Sequence, residues 1–67
     1  MKRFICINNT SDGFEYPART LTYGKTYTSL ETNSKAYRIR GDDGKRRWYS
    51  EKRFKEYYFK IPVRYML

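Results

Sequence analysis

The chain has one cysteine and no histidine in 67 residues, and this shortage constrains its fold more than any other feature. A chain this short buries only about 60% of the surface its unfolded form exposes, so many domains of this size lean on disulfides or a structural metal. Cys6 has no partner for an internal disulfide, and without histidine a zinc site lacks enough soft ligands. No metal or cofactor is therefore expected, and stability must come from apolar packing. Aromatic rings supply the material: four Phe, eight Tyr and one Trp make up 19% of the residues. Each ring buries on the order of 150–250 Å² when inside.

Residues 2 to 8 are β-branched and aromatic and too few for a helix, so they read as a first strand with Ile5 and Ile7 inward. Residues 9 to 20 collect Asn9, Thr10, Ser11, Asp12, Gly13 and Pro17, the composition of a long loop. Phe14 and Tyr16 within it are expected to fold the loop back over the core. After a turn at Tyr23-Gly24-Lys25, Thr26 to Thr32 reads as a second strand that Asn33-Ser34 closes. Ala36 to Arg40 alternates, with Tyr37 and Ile39 on one face and Arg38 and Arg40 on the other. Gly41-Asp42-Asp43-Gly44 is a hairpin signal, because Asp and Gly tolerate positive φ, and Lys45 to Tyr49 is its return strand.

Placing Trp48 in the core beside Ile39 sends Lys45, Arg47 and Tyr49 outward with Arg38 and Arg40. Ser50 caps a helical turn near Glu51 to Tyr57, on which Phe54, Tyr57 and Tyr58 share one side at i, i+3 and i+4. Pro62 interrupts any regular element near the C-terminus, leaving residues 61 to 67 as an apolar tail that adds an edge strand or docks on a partner. The expected architecture is one mainly β domain over residues 1 to 60, a small SH3-like barrel of four to five antiparallel strands with one short helical turn. Its predicted core is Ile5, Ile7, Leu21, Tyr27, Leu30, Ile39, Trp48 and Phe54.

Charge is unevenly placed. Fifteen Lys and Arg against seven Asp and Glu give a net +8, of which residues 35 to 60 carry +6 and residues 1 to 34 only +1. A field of that sign concentrates polyanions. No stretch approaches the ~20 apolar residues of a membrane span. A lone thiol and the lack of an apolar leader after Met1 point to a reducing cytoplasm.

The run Leu21-Thr22-Tyr23-Gly24-Lys25-Thr26-Tyr27, then Asp42-Asp43-Gly44, Trp48-Tyr49 and Arg53-Phe54, resembles a family of small SH3-like β-barrel proteins of tailed phages and bacteria. Over roughly residues 3 to 56 the order matches that family's Cys-containing first strand, Leu-Thr-x-Gly-Lys-x-Tyr turn and Trp-Tyr-x-x-x-Arg-Phe closure. The resemblance implies the fold and a small accessory protein, in the host cytoplasm where phage-encoded, with no catalytic residues to carry over. The chain departs from it in having Lys45, Arg46 and Arg47 where the family's strands tend to be acidic.

Catalysis finds no support, since there is no histidine, no Gly-rich phosphate loop and no Ser or Cys with a base nearby in sequence. Cys6 reads as a small buried hydrophobe, and Asp42-Asp43 as turn chemistry rather than a metal site. A basic surface interleaved with rings is the recipe for binding nucleic acid. The candidate contacts are Arg38, Arg40, Lys45, Arg47, Tyr49, Lys52, Tyr57 and Tyr58. The alternative is a host protein or enzyme whose acidic face meets the same residues, since Tyr, Trp and Arg also dominate interface hot spots.

Overall fold

In the computed structural model, which describes residues 2–57, the strands form where the β-branched and aromatic runs lie. They are β1 (Arg3–Cys6), β2 (Thr26–Thr32), β3 (Ala36–Arg40), β4 (Arg46–Ser50) and β5 (Phe54–Tyr57), with a 3-10 turn at Glu51–Arg53 between the last two. All neighbours pair antiparallel in the order β4-β3-β2-β1-β5, as one open sheet. β2 serves both halves: Thr26 to Thr28 pair with β1, while Ser29 to Thr32 pair with β3. A register shift between Ser29 and Glu31 leaves Leu30 as a bulge where the strand changes partner. A bulge of this kind bends its strand and increases its twist. The mainly β architecture expected from the sequence, four to five antiparallel strands with a long first loop and one short helical turn, is present as five strands in one open sheet.

The core is a cluster of rings around Phe54. Tyr27, Tyr49 and Phe4 meet it edge to face, each with centroids 6.3 Å away, and Phe4 stacks on Tyr37 at 4.0 Å. Cys6, Ala18, Leu21 and Ile39 complete the buried set. Offset and edge-to-face pairs add about 0.5–1.5 kcal/mol each beyond their area, which suits a core without a staple.

Four of the eight predicted core residues, Leu21, Tyr27, Ile39 and Phe54, are buried. β1 takes the opposite phase to the one expected. Phe4 and Cys6 point inward, Ile5 is half-buried and Ile7 exposed, because the Phe4 ring fills the space against Tyr37 and Phe54. Leu30 is exposed at the bulge.

The hairpin also differs. Asp42, Asp43 and Gly44 form a three-residue loop, with Gly44 at φ 81°, and Gly41 N–H donates to the Lys45 carbonyl. The pairing then sets Tyr37 opposite Tyr49, Arg38 opposite Trp48, Ile39 opposite Arg47 and Arg40 opposite Arg46. Opposed residues share a face, so Tyr49 enters the core and Trp48 faces solvent, the reverse of the sequence expectation.

The helical turn is shorter than predicted. Ser50 does cap it, its hydroxyl accepting from Lys52 N–H, but the helix ends at Arg53 and Phe54–Tyr57 is a strand. Phe54 and Tyr57 therefore lie on opposite faces rather than on one helical stripe. Residues 61 to 67 and Tyr58 lie outside the described residues.

Candidate functional site

The outward face of the β3–β4 hairpin is set by its register. Arg38 and Arg40 on β3 and Arg46 and Trp48 on β4 share it, with Glu31 of β2 beside Arg38. Trp48 is 49% exposed, a large ring left on the surface of a chain that needs its rings for a core. Arg38 donates to Glu31 at 2.8 Å. Arg40 and Arg46 stand directly across from each other, and neither has an ion-pair or hydrogen-bond partner for its guanidinium among the described residues. Like charges set opposite on a sheet destabilise it.

The carboxylates of the adjoining hairpin turn are engaged elsewhere. Asp42 accepts from Thr22 Oγ1 at 2.6 Å, Lys25 Nζ at 2.8 Å and the Tyr27 hydroxyl at 2.9 Å. The Lys25 ammonium, with the two hydroxyls, holds its carboxyl below the ordinary value. Asp43 takes Arg47 through both oxygens, each at 2.9 Å. That guanidinium, with the Lys45 N–H, holds Asp43 at about 2. These are turn and clasp contacts, and no group of three or more metal-ligating side chains occurs among the described residues.

Beside β4 lies a groove of about 500 Å³ between the strand and the long first loop, lined among others by Tyr16, Pro17, Arg19, Arg47 and Trp48. Arg53 fixes the loop that forms its far wall. The Arg53 side chain is 6% exposed, donates from Nη1 to the Asn8 and Thr10 carbonyls and from Nη2 to the Tyr16 carbonyl, and is covered by the Phe14 ring at 3.7 Å. Burial pulls its pKa down, yet a guanidinium stays charged in a protein. Thr20 then joins the loop to the sheet, its hydroxyl sharing a hydrogen bond with the Tyr49 hydroxyl at 2.6 Å. Gly41 sits beneath that bond. A Cβ there would come within 2.8 Å of the Tyr49 oxygen and 3.0 Å of the Thr20 carbonyl, so the close approach requires glycine.

Of the predicted contacts, Arg38 and Arg40 occupy the outward face, and Lys45 and Lys52 are exposed at either end of β4. Arg47 lies on the opposite phase, half-buried and clasped by Asp43. Tyr49 is no platform: it is 8% exposed and bound through its hydroxyl to Thr20. Tyr57 is exposed on the far edge strand with the Arg3 guanidinium 5.6 Å from its ring centre, away from the hairpin. Arg46, Trp48 and the groove residues Tyr16 and Arg19 stand in this candidate site and were not among the predicted contacts. The loop length carried the signal for the first two, because an odd number of loop residues puts Trp48 with Arg38 rather than with Ile39.

Chemically the arrangement offers fixed positive charge and exposed rings. Cys6, the one thiol, is fully buried, and burial raises its pKa, which makes it a poor nucleophile. Comparison with protein-family models, curated proteins and solved structures returned no match.

Proposed function

We propose that this chain is a non-catalytic binding module that takes nucleic acid on the outward face of the β3–β4 hairpin. The observation that carries this reading is the opposed Arg40–Arg46 pair beside exposed Trp48. Two uncompensated like charges weaken the sheet where they stand, and a polyanion supplies the missing counter-charge. A ring next to them gives a base its stacking surface. The resemblance to small SH3-like proteins of phages and bacteria adds the setting, an accessory protein acting in a bacterial cytoplasm.

Arg46→Glu tests the reading with two measurements. It converts the opposed pair to opposite charges, so the melting temperature rises, while affinity for a labelled oligonucleotide falls about ten-fold. A variant that melts higher and binds as before removes the hairpin face from the function.

The second reading is a host protein captured through the same face, favoured by the exposure of Trp48 among arginines, the composition of an interface hot spot. Retention from nuclease-treated lysate separates the two. One stoichiometric protein that survives nuclease and moderate salt replaces nucleic acid as the partner.

A further inference from the structure

Resting on that reading, we propose that the ligand is a single-stranded segment, with one base stacked on Trp48 and another on Tyr16 across the groove between β4 and the first loop. Both residues line the same groove, Trp48 from β4 and Tyr16 from the first loop, and they are among the most exposed large side chains described, 49% for Trp48 and 70% for Tyr16. Rings left in water are useful to a partner that presents flat apolar faces. A single strand presents both faces of each base, whereas a duplex has already closed its bases into a stack.

The Tyr16 platform is held in advance of binding. Its own carbonyl accepts from Arg53 Nη2 at 2.7 Å, and the two bonds from Arg53 Nη1 tie the same guanidinium to the start of the loop. Pro17 fixes the backbone immediately after it. Arg53 is thus a positioning residue, and an anchored loop loses little entropy when it engages a ligand.

Charge around the groove agrees with a phosphate backbone running past the rings. Of the arginines lining it, Arg47 is clasped by Asp43 and Arg53 is buried under the loop, so Arg19 supplies the free charge beside Glu15, and Arg40 and Arg46 continue the positive field from the outward face. Duplex recognition fits less well. Reading a major groove takes a helix or a free two-stranded ribbon. Here β3 is paired on both sides, and the hairpin tip carries Asp42 and Asp43, which phosphates would repel.

The test compares a labelled twelve-nucleotide oligothymidine with a twelve-base-pair duplex by fluorescence anisotropy, tracking Trp48 emission in parallel. The single strand is expected to bind at least about ten-fold more tightly and to quench Trp48. Trp48→Ala and Tyr16→Ala should each weaken it by about ten-fold, with melting unchanged, while Trp48→Phe restores most of the affinity. If the duplex binds equally well and the ring variants have no effect while Arg40→Gln and Arg46→Gln weaken both ligands, the single-strand inference falls and nucleic-acid binding stands. If neither oligonucleotide binds at low salt, both fall together. Equal competition by inorganic polyphosphate, with no quenching, also overturns the stacking arrangement.

Discussion

Two adjacent residues, Trp48 and Tyr49, exchange the roles that their chemistry suggests. Tryptophan is the larger apolar payload, yet the hairpin register turns Tyr49 into the core, where its hydroxyl finds a half-buried partner in Thr20 at 2.6 Å, beneath which Gly41 leaves room. Tyr49 packs edge to face on Phe54, and Trp48 stands opposite Arg38 on the solvent side. Their substitutions should therefore separate cleanly. Trp48→Ala is expected to change stability by no more than about 0.5 kcal/mol, as at other surface positions. Tyr49→Ala should cost ~3–5 kcal/mol, enough to unfold a domain of this size. Tyr49→Phe isolates the hydroxyl and should cost about 1 kcal/mol. Chemical denaturation of the three variants checks the order, and a large loss for Trp48→Ala would return that ring to the core.

At the scale of elements, strands were readable where composition and alternation agree and ambiguous where only phase decides. β2 and β3 fall where their β-branched and alternating runs lie. The phase of β4 was not readable from its residues, since Arg46 to Ser50 has no apolar alternation. It depends on whether the Asp-Asp-Gly turn holds an odd or even number of residues, and one residue turns every side chain over. β5 was mistaken for helix because Phe54 and Tyr57 satisfy an i, i+3 spacing, although the sheet needed a strand to cover β1. Arg53 gave no local signal, since its acceptors lie more than 35 residues away in sequence. The hairpin turn carries a pH dependence whose sign is set by its clasps. Asp42 is held below the ordinary carboxyl value by Lys25, and Asp43 is held at about 2 by Arg47. Carboxyls lowered on folding contribute stability above their unfolded value of about 4 and lose it as pH falls through the folded value. Melting temperature should therefore drop between about pH 4 and pH 2 in the native chain. Asp43→Asn should flatten that drop, and an unchanged profile would mean the Arg47 clasp adds nothing to the folded state.

For the molecule as a whole, the +6 carried by residues 35 to 60 was legible as a number, but its usable part depends on pairing that only the fold reveals. Lys25, Arg38 and Arg47 are held by Asp42, Glu31 and Asp43, and Arg53 is engaged by loop carbonyls. Of the cations without ion pairs among the described residues, Arg3, Lys35, Lys52 and Lys55 stand elsewhere, while Arg19, Arg40, Lys45 and Arg46 lie on the hairpin or the groove beside it. If these four cations meet phosphates, four counterions leave a single strand on binding. The logarithm of affinity should then fall against the logarithm of salt with a slope of about −3. Replacing Arg40 and Arg46 together by Gln should make that slope shallower by about 1.4 and weaken all sequences alike, because phosphate contacts carry no base information. Replacing Lys25 or Arg38, whose charges are already neutralised, should leave the slope close to its original value. Isothermal titration across a salt series gives both numbers. A slope that does not change in the Arg40, Arg46 double variant would show that those charges face no phosphate, and a slope near zero in the native chain would remove polyanion binding from this molecule altogether.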